Sequence, residues 1–358
     1  ITSMIKKVFC SGIKRPGEIV SLILILFLIC GSALAATITV QPGERIQEAI
    51  DQARTGDVIE VMSGTYQGTL DIKKEVALMG IDSGEGMPVI DAGSILGSVF
   101  MTANNSQISG FKIVNPNGDG IDVTSSHNTI SNNTIEACGA AIYLMVSDKN
   151  KIVNNNASVR CQGVMGLLSS DGIMLAHSDE NIIESNTASG ASMGIYLYYS
   201  HNNTILNNAA LSNDHGIAIK GSRDNIIQEN RAIGNKEEGI GLLNGCSGNT
   251  VTKNNVTGNS IGIYLRESNH NTIYLNDFID NLQNALSSDS ENIWHSPEQV
   301  SYSSAGKSYT GLLGNYWSDY EGNDSDGDGL GDASHSFEYD GQDDHPLMTP
   351  SSDLIKPK

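Results

Sequence analysis

The chain has 358 residues, with 21 basic against 41 acidic side chains and a formal net charge of −20. That balance excludes nucleic acid as a partner, because a polyphosphate needs a basic footprint. It also disfavours unassisted binding of polyanionic sugars.

Residues 1–35 read as a secretory leader: Lys6, Lys7, Lys14 and Arg15, then an apolar stretch over 19–29, then Ala33-Leu34-Ala35 as an A-x-A site before Ala36. The apolar stretch is short for a spanning helix, so any membrane association would run through an uncleaved leader. Cleavage near Ala35-Ala36 predicts a secreted or cell-surface location and leaves 17 basic against 40 acidic residues, a net of −23. Cys138, Cys161 and Cys246 remain, an odd number without metal-type spacing. Cys138 and Cys161 fall at similar places in adjacent repeats, so both a disulfide and plain buried packing stay open.

Residues 37–80 predict strands over 37–40, 58–61, 69–72 and 76–78, with turns at Thr55-Gly56-Asp57 and Ser63-Gly64-Thr65. Ile46, Ala49, Ile50 and Ala53 have helical spacing, which predicts a short helix covering one end of a sheet structure.

From Gly120 onward one phrase recurs seven times: a small residue, apolar–x–apolar, a polar turn, Asn-x-Ile, and a further Asn five residues after the first. The first Asn of each copy is Asn128, Asn150, Asn181, Asn203, Asn225, Asn249 and Asn271, with gaps of 22, 31, 22, 22, 24 and 22. Short alternating pieces at a period near 22 residues specify a solenoid of stacked β-rungs. We read an all-β, right-handed parallel β-helix of about ten rungs over residues 36–290, with the Asn-x-Ile rungs at 104–284. The recurrent Asn suits a sharp turn in the left-handed region, its amide bonding to the rungs above and below.

Residues 291–358 differ in composition and read as an acidic cap. Asp324, Asp326 and Asp328 take positions 1, 3 and 5 of a calcium loop, the Leu330 carbonyl position 7 and Asp332 position 9. His335 stands where a bidentate Glu would be needed, leaving Glu338 or Asp340 to complete the shell. Calcium is therefore the expected cofactor.

The Asn-x-Ile rungs, with Gly314-Asn315-Tyr316-Trp317-Ser318-Asp319-Tyr320 and Asp328-Gly329-Leu330-Gly331-Asp332, resemble the NosD-like and carbohydrate-binding/sugar-hydrolase β-helix family of the pectin-lyase-like superfamily. The tail is similar to that of the subgroup common among surface proteins of methanogenic archaea. The resemblance covers residues 37–348 and implies an exported β-helix protein; the family's copper-binding description adds copper as a second cofactor. Met145, Met174, Met193 and His215 are the residues of suitable softness.

Stacking the repeats aligns three outward rows. Asp119, Ala140, Asp171, Met193, His215, Glu238 and Ile261 form one. Asp122, Tyr143, Met174, Tyr196, Ala218, Gly241 and Tyr264 form the next, and Thr124, Met145, Ala176, Tyr198, Lys220, Leu243 and Arg266 the third. Tyr143, Tyr196, Tyr198 and Tyr264 are candidate sugar platforms, and His215, Glu238, Asp171, Lys220 and Arg266 candidate catalytic groups of one groove. The long gap around 160–170 would wall that groove. The leading expectation is a non-catalytic protein binding polysaccharide or cell-envelope glycan. A polysaccharide lyase or hydrolase, and a NosD-type maturation or structural role, are the alternatives. The Gly-His-Gly and Arg-Ile-Lys motifs of polygalacturonases are absent.

Overall fold

The computed structural model describes residues 35–93, 96–160, 170–339 and 341–355. The leader, residues 161–169 of the long gap, and Asp340 lie outside them. Among the described residues no helix is long and apolar enough to cross a membrane.

The period-two pieces of each repeat become three short parallel strands separated by bends, and the strands stack into three sheets of eleven. Sheet 1 runs from Thr37–Val40 to Thr272–Tyr274, sheet 2 from Leu70–Ile72 to Glu338–Tyr339, and sheet 3 from Thr65–Gln67 to Tyr316–Trp317. The solenoid thus has about eleven turns rather than ten. The additional turn comes from both ends: Thr65–Gln67 is a strand where the sequence suggests a turn, and the tail donates Tyr316–Trp317 and Glu338–Tyr339.

Parallel in-register pairing stacks like on like. In sheet 2, Ile121, Ile142, Ile173, Ile195, Ile217, Ile240 and Ile263 form one inward ladder, and every member is fully buried. Burying each such side chain contributes about 1.5–3 kcal/mol. Facing them in sheet 3 are Ala157, Ala188, Ala210 and Ala232, small enough to keep the bore narrow. The leading small residue of each repeat has a packing cause: a Cβ on Gly216 would sit 2.3 Å from the Gly239 carbonyl oxygen of the next turn.

The recurrent Asn residues form continuous buried amide ladders. In the first, each Nδ2 donates to the Oδ1 of the next from Asn128 through Asn150, Asn181, Asn203, Asn225, Asn249 and Asn271 to Asn292. The second runs from Asn133 through Asn155, Asn186, Asn208, Asn230, Asn254 and Asn276 to Asn315. These Asn residues do not themselves take the left-handed turn. The preceding residue does: Asn132, Asn154, Ser185, Asn207, Glu229, Lys253 and Leu275 all have φ between 53° and 59°. The Asn side chain must point inward to meet its neighbours, so its predecessor absorbs the reversal.

Two ladders are less apparent in the sequence. Asn213, Asn235, Asn259 and Asn281 form a third amide ladder. Ser147, Ser178, Ser200 and Ser222 form a hydroxyl ladder along a corner, in which the free, buried Cys246 takes the next place and donates to the Ile219 carbonyl. Cys138 is disulfide-bonded, with its partner outside the described residues.

A seven-residue helix, α1 (Ile46–Gln52), buries Ile46, Ala49 and Ile50 and packs on the strands Thr37–Val40, Val58–Met62 and Leu70–Ile72. This is the predicted N-terminal cover. The other end is closed by aromatic rings. Trp317 stacks on Phe278 with centroids 4.5 Å apart, and Trp294 and Phe337 lie against Trp317.

Candidate functional site

The registers place the three outward rows on sheet 2 as expected: Met193 beside His215, Tyr196 beside Ala218, Tyr198 beside Lys220. They do not gather all candidates in one groove. His215 and Lys220 stand at opposite ends of one strand, up to roughly 16 Å apart at about 3.3 Å per residue. The face therefore divides into clusters.

The first cluster is ionic. His215 Nδ1 lies 2.9 Å from Glu238 Oε2, an ion-pair approach rather than an aligned hydrogen bond. Glu238 is 5 % exposed and folds over Gly241, where a Cβ would meet Glu238 Oε1 at 2.8 Å. The Glu238 carboxylate, through its side-chain contact, holds the His215 imidazole above its ordinary pKa against the opposing effect of burial. Asp171 is buried just before the strand Ile173–Ala176. Burial, reinforced by the Asp171 charge, pushes the Tyr196 phenol up to about 12.

The second cluster is aromatic. Tyr198 packs edge-on to Tyr199 at 4.6 Å and lies 6.1 Å from Tyr196. His177 is parallel to Tyr199 within 4° at 5.7 Å. The Lys220 ammonium stands 5.9 Å from the Tyr198 ring. Two turns on, Arg266 stands 6.0 Å from Tyr264 while its guanidinium donates twice to Asn244 Oδ1. Tyr199 and His177 escape the strand pattern because they sit one residue past the outward row. The doublet Tyr198-Tyr199 is the one sequence signal for them.

A third cluster pairs Asp119 with Asp122. Sequence alternation puts them in separate rows, but Gly120 and Ile121 are both buried, which breaks the alternation within the strand Asp119–Val123, and the two carboxyls interact. Asp119 Oδ1 also accepts the Ala140 N–H at 2.6 Å. Burial, then the neighbouring Asp119 charge, pushes Asp122 up to about 7. Such a pair retains one proton near neutrality. Tyr143, on the next turn, is raised by burial and then by both carboxylates.

In the tail, Asp324, Asp326 and Asp328 each offer a carboxylate oxygen within 4.8 Å of the others. Three hard oxygen donors at that separation fit a calcium ion, not copper. The rest of the predicted shell is differently employed. Asp332 accepts from the Ser325 amide and hydroxyl. Glu338 is held by Gln283, and His335 faces Asp319 at 3.5 Å. Copper fits poorly on sheet 2: His215 is engaged by Glu238, and Met193, Met174 and Met145 occupy three different rows.

The fold and this face define a class: a parallel β-solenoid of the pectin-lyase-like kind, with aromatic and carboxylate clusters on one outward sheet. Residues 97–214 match the family model described as right handed beta helix region, and residues 156–322 the model for periplasmic copper-binding protein (NosD). Both matches fall in the repeat region, which is thus similar to NosD-type and right-handed β-helix proteins. The chain is similar in fold to the polygalacturonase from Erwinia carotovora ssp. carotovora (TM-score 0.55, 11% identity, 72% of this chain and 93% of that one). It is likewise similar to a hyperthermoactive exopolygalacturonase from Thermotoga maritima (0.54, 12%, 77% and 95%) and to pectate lyase Pel9A (0.53, 15%, 73% and 80%). No curated protein sequence matches the chain.

Proposed function

We propose that the chain is an exported, non-catalytic β-helix protein that binds carbohydrate or cell-envelope polymer on the outward face of sheet 2, its leader removed near Ala35-Ala36. The observation that carries this reading is the contiguous group of rings at Tyr196, Tyr198, Tyr199 and His177. Aromatic faces held rigidly on a scaffold suit the apolar faces of sugar rings, and the similar solved structures named for polysaccharide chemistry agree with such a partner. Calcium at Asp324, Asp326 and Asp328 would neutralise the tail and fasten the C-terminal end. A glycan array probed with the protein in calcium buffer tests the reading: saturable binding to a defined glycan is expected, and no binding to neutral or acidic glycans refutes it.

The Asp119–Asp122 pair favours a second reading, polysaccharide hydrolysis. One carboxyl that keeps its proton near neutrality beside one that has lost it supplies a general acid and a base. Release of reducing ends by the wild type, absent from Asp122→Asn, would select this reading over simple binding.

A further inference from the structure

At one corner of the solenoid, immediately after the third outward row, every turn from the rung of Val146 onward places one residue in the left-handed region. In chain order these are Val146, His177, Tyr199, Gly221, Asn244, Glu267 and Asp289, with φ between 46° and 60°. Glycine, Asn and Asp enter that region readily. A β-branched valine and a tyrosine do not, and with His177 between them they occupy three consecutive turns. All three are exposed, Val146 at 65 % and Tyr199 at 44 %. Met145, 47 % exposed, continues the patch. The next turn makes room for it: a Cβ on Gly221 would lie 2.6 Å from a Tyr199 ring carbon. A left-handed φ alone marks nothing here, since Lys253 and Leu275 share it at other corners; what sets this corner apart is that three consecutive turns expose large side chains, with the His177 and Tyr199 rings parallel at 5.7 Å.

We propose that Val146, His177 and Tyr199, with Met145 and Tyr198, form a sugar-binding ridge along the solenoid axis that takes an uncharged pyranose polymer. This rests on the carbohydrate-binding reading above and names both the primary subsite and the substrate class. Ring faces carry negative π charge and receive C–H faces of neutral sugars. The cation placed against these rings is Lys220, already drawn to Tyr198. The turn beyond the ridge carries Asp148, Asp179 and Glu180, and the whole chain is at −20, so a polyuronate would meet repulsion. Turns rise about 4.8 Å, close to the length of one pyranose unit, so successive sugars can meet successive turns.

The test is calorimetric titration of the full chain with cellohexaose, mannohexaose and chitohexaose, and with hexagalacturonate. Two variants accompany it: His177→Asn/Tyr199→Asn on the ridge, and Tyr264→Ala on the strand face. At least one neutral hexasaccharide should bind. The ridge variant should lose about tenfold or more in affinity, with an unchanged or higher melting temperature, because Asn accepts the left-handed backbone. The strand-face variant should lose less than about threefold. If the ridge variant binds normally while the strand-face variant does not, the ridge is refuted and the broader carbohydrate reading stands. Binding of hexagalacturonate alone overturns the uncharged class. No binding of any of the four overturns the ridge, and silence across the wider array removes the broader reading as well.

Discussion

The amide ladders make the most demanding prediction. Asn208 stands at the middle of the second ladder. Its Oδ1 accepts both the backbone N–H of Asn186, at 2.9 Å, and the Asn186 Nδ2, at 3.0 Å. Its Nδ2 donates to the Ile183 carbonyl at 2.8 Å and to Asn230 Oδ1 at 3.0 Å. Asn208→Ala removes all four. Asn230 keeps the Asn208 backbone N–H, and Asn186 Nδ2 keeps the Ile152 carbonyl, so neither is stranded. The Asn186 N–H loses its ladder partner, and the Ile183 carbonyl loses a donor, in a region closed to water. At about 1–3 kcal/mol for each stranded buried group, the loss is about 4 kcal/mol, several times the effect of an ordinary surface change. Guanidinium unfolding followed by both far-UV circular dichroism and Trp317 fluorescence measures it. The second probe reports whether the C-terminal end separates from the central turns, which solenoids permit. A loss below about 1 kcal/mol would show that the turns relax freely around the gap, refuting the view that the ladder is an obligatory hydrogen-bond system.

Val146→Asn should stabilise by about 1 kcal/mol, because it removes left-handed strain on a β-branched residue; thermal melting checks the sign, and a lower melting temperature contradicts it. Asp122, raised to about 7 in the fold, contributes stability that is fully present below its ordinary value near 3.8 and is lost as pH rises through about 7. Asp122→Asn should therefore flatten stability between pH 4 and 8, and carbon-detected NMR of the wild type should show one aspartate titrating near neutrality. His215, raised chiefly by Glu238, contributes stability that is complete below its ordinary value near 6.5 and fades as pH rises through the higher folded value; His215→Gln should remove that decline. Calcium should raise the melting temperature, stabilising the fold by about 2.7 kcal/mol at a hundredfold excess over the dissociation constant, and Asp326→Asn should weaken the effect. Unchanged melting and Trp317 fluorescence on adding calcium would rule out the tail site.

The architecture was legible because a repeat states the same structural argument many times. Seven copies of small–apolar–x–apolar and two Asn columns leave one solution, strands stacked in register. The third amide ladder follows the same arithmetic, since Asn213, Asn235, Asn259 and Asn281 each lie five residues beyond a second-ladder Asn. The left-handed positions carry no such signal. Residues as different as Ser185, Glu229, Lys253 and Leu275 occupy them, because the ladder imposes the conformation and the residue merely tolerates it. The clusters on sheet 2 were hidden for a related reason. Strand alternation assigns Asp119 and Asp122 to different rows and stops the outward face at Tyr198. The break in alternation at Gly120-Ile121 and the corner after Tyr198 then create the contacts that alternation cannot describe.

Those two facts, a ladder that dictates the backbone and a corner that bears strained side chains, belong together. Along the second ladder each Nδ2 donates to the Oδ1 of the next turn toward the C-terminal end, so the ladder carries aligned dipoles and ends in N–H donors that call for an acceptor. At that end Asn315 Nδ2 meets Asp343 Oδ2 at 3.2 Å, with its backbone N–H at 2.7 Å from the same oxygen. Trp317 Nε1 and the His345 N–H also donate to this carboxylate. The third ladder ends the same way, Asn281 passing to Asn284 and Asn284 to Asp319. Anions at the donor ends are what aligned dipoles require, as at a helix N-terminus. Burial raises the Asp343 pKa, opposed by these donors. A solenoid tied along its length and closed by carboxylates is stiff enough to hold Val146 and Tyr199, on either side of His177, in conformations costing on the order of 1–2 kcal/mol each. A looser scaffold would let those residues relax out of line. The rigidity read from the Asn columns is therefore what makes an exposed aromatic ridge available for a ligand.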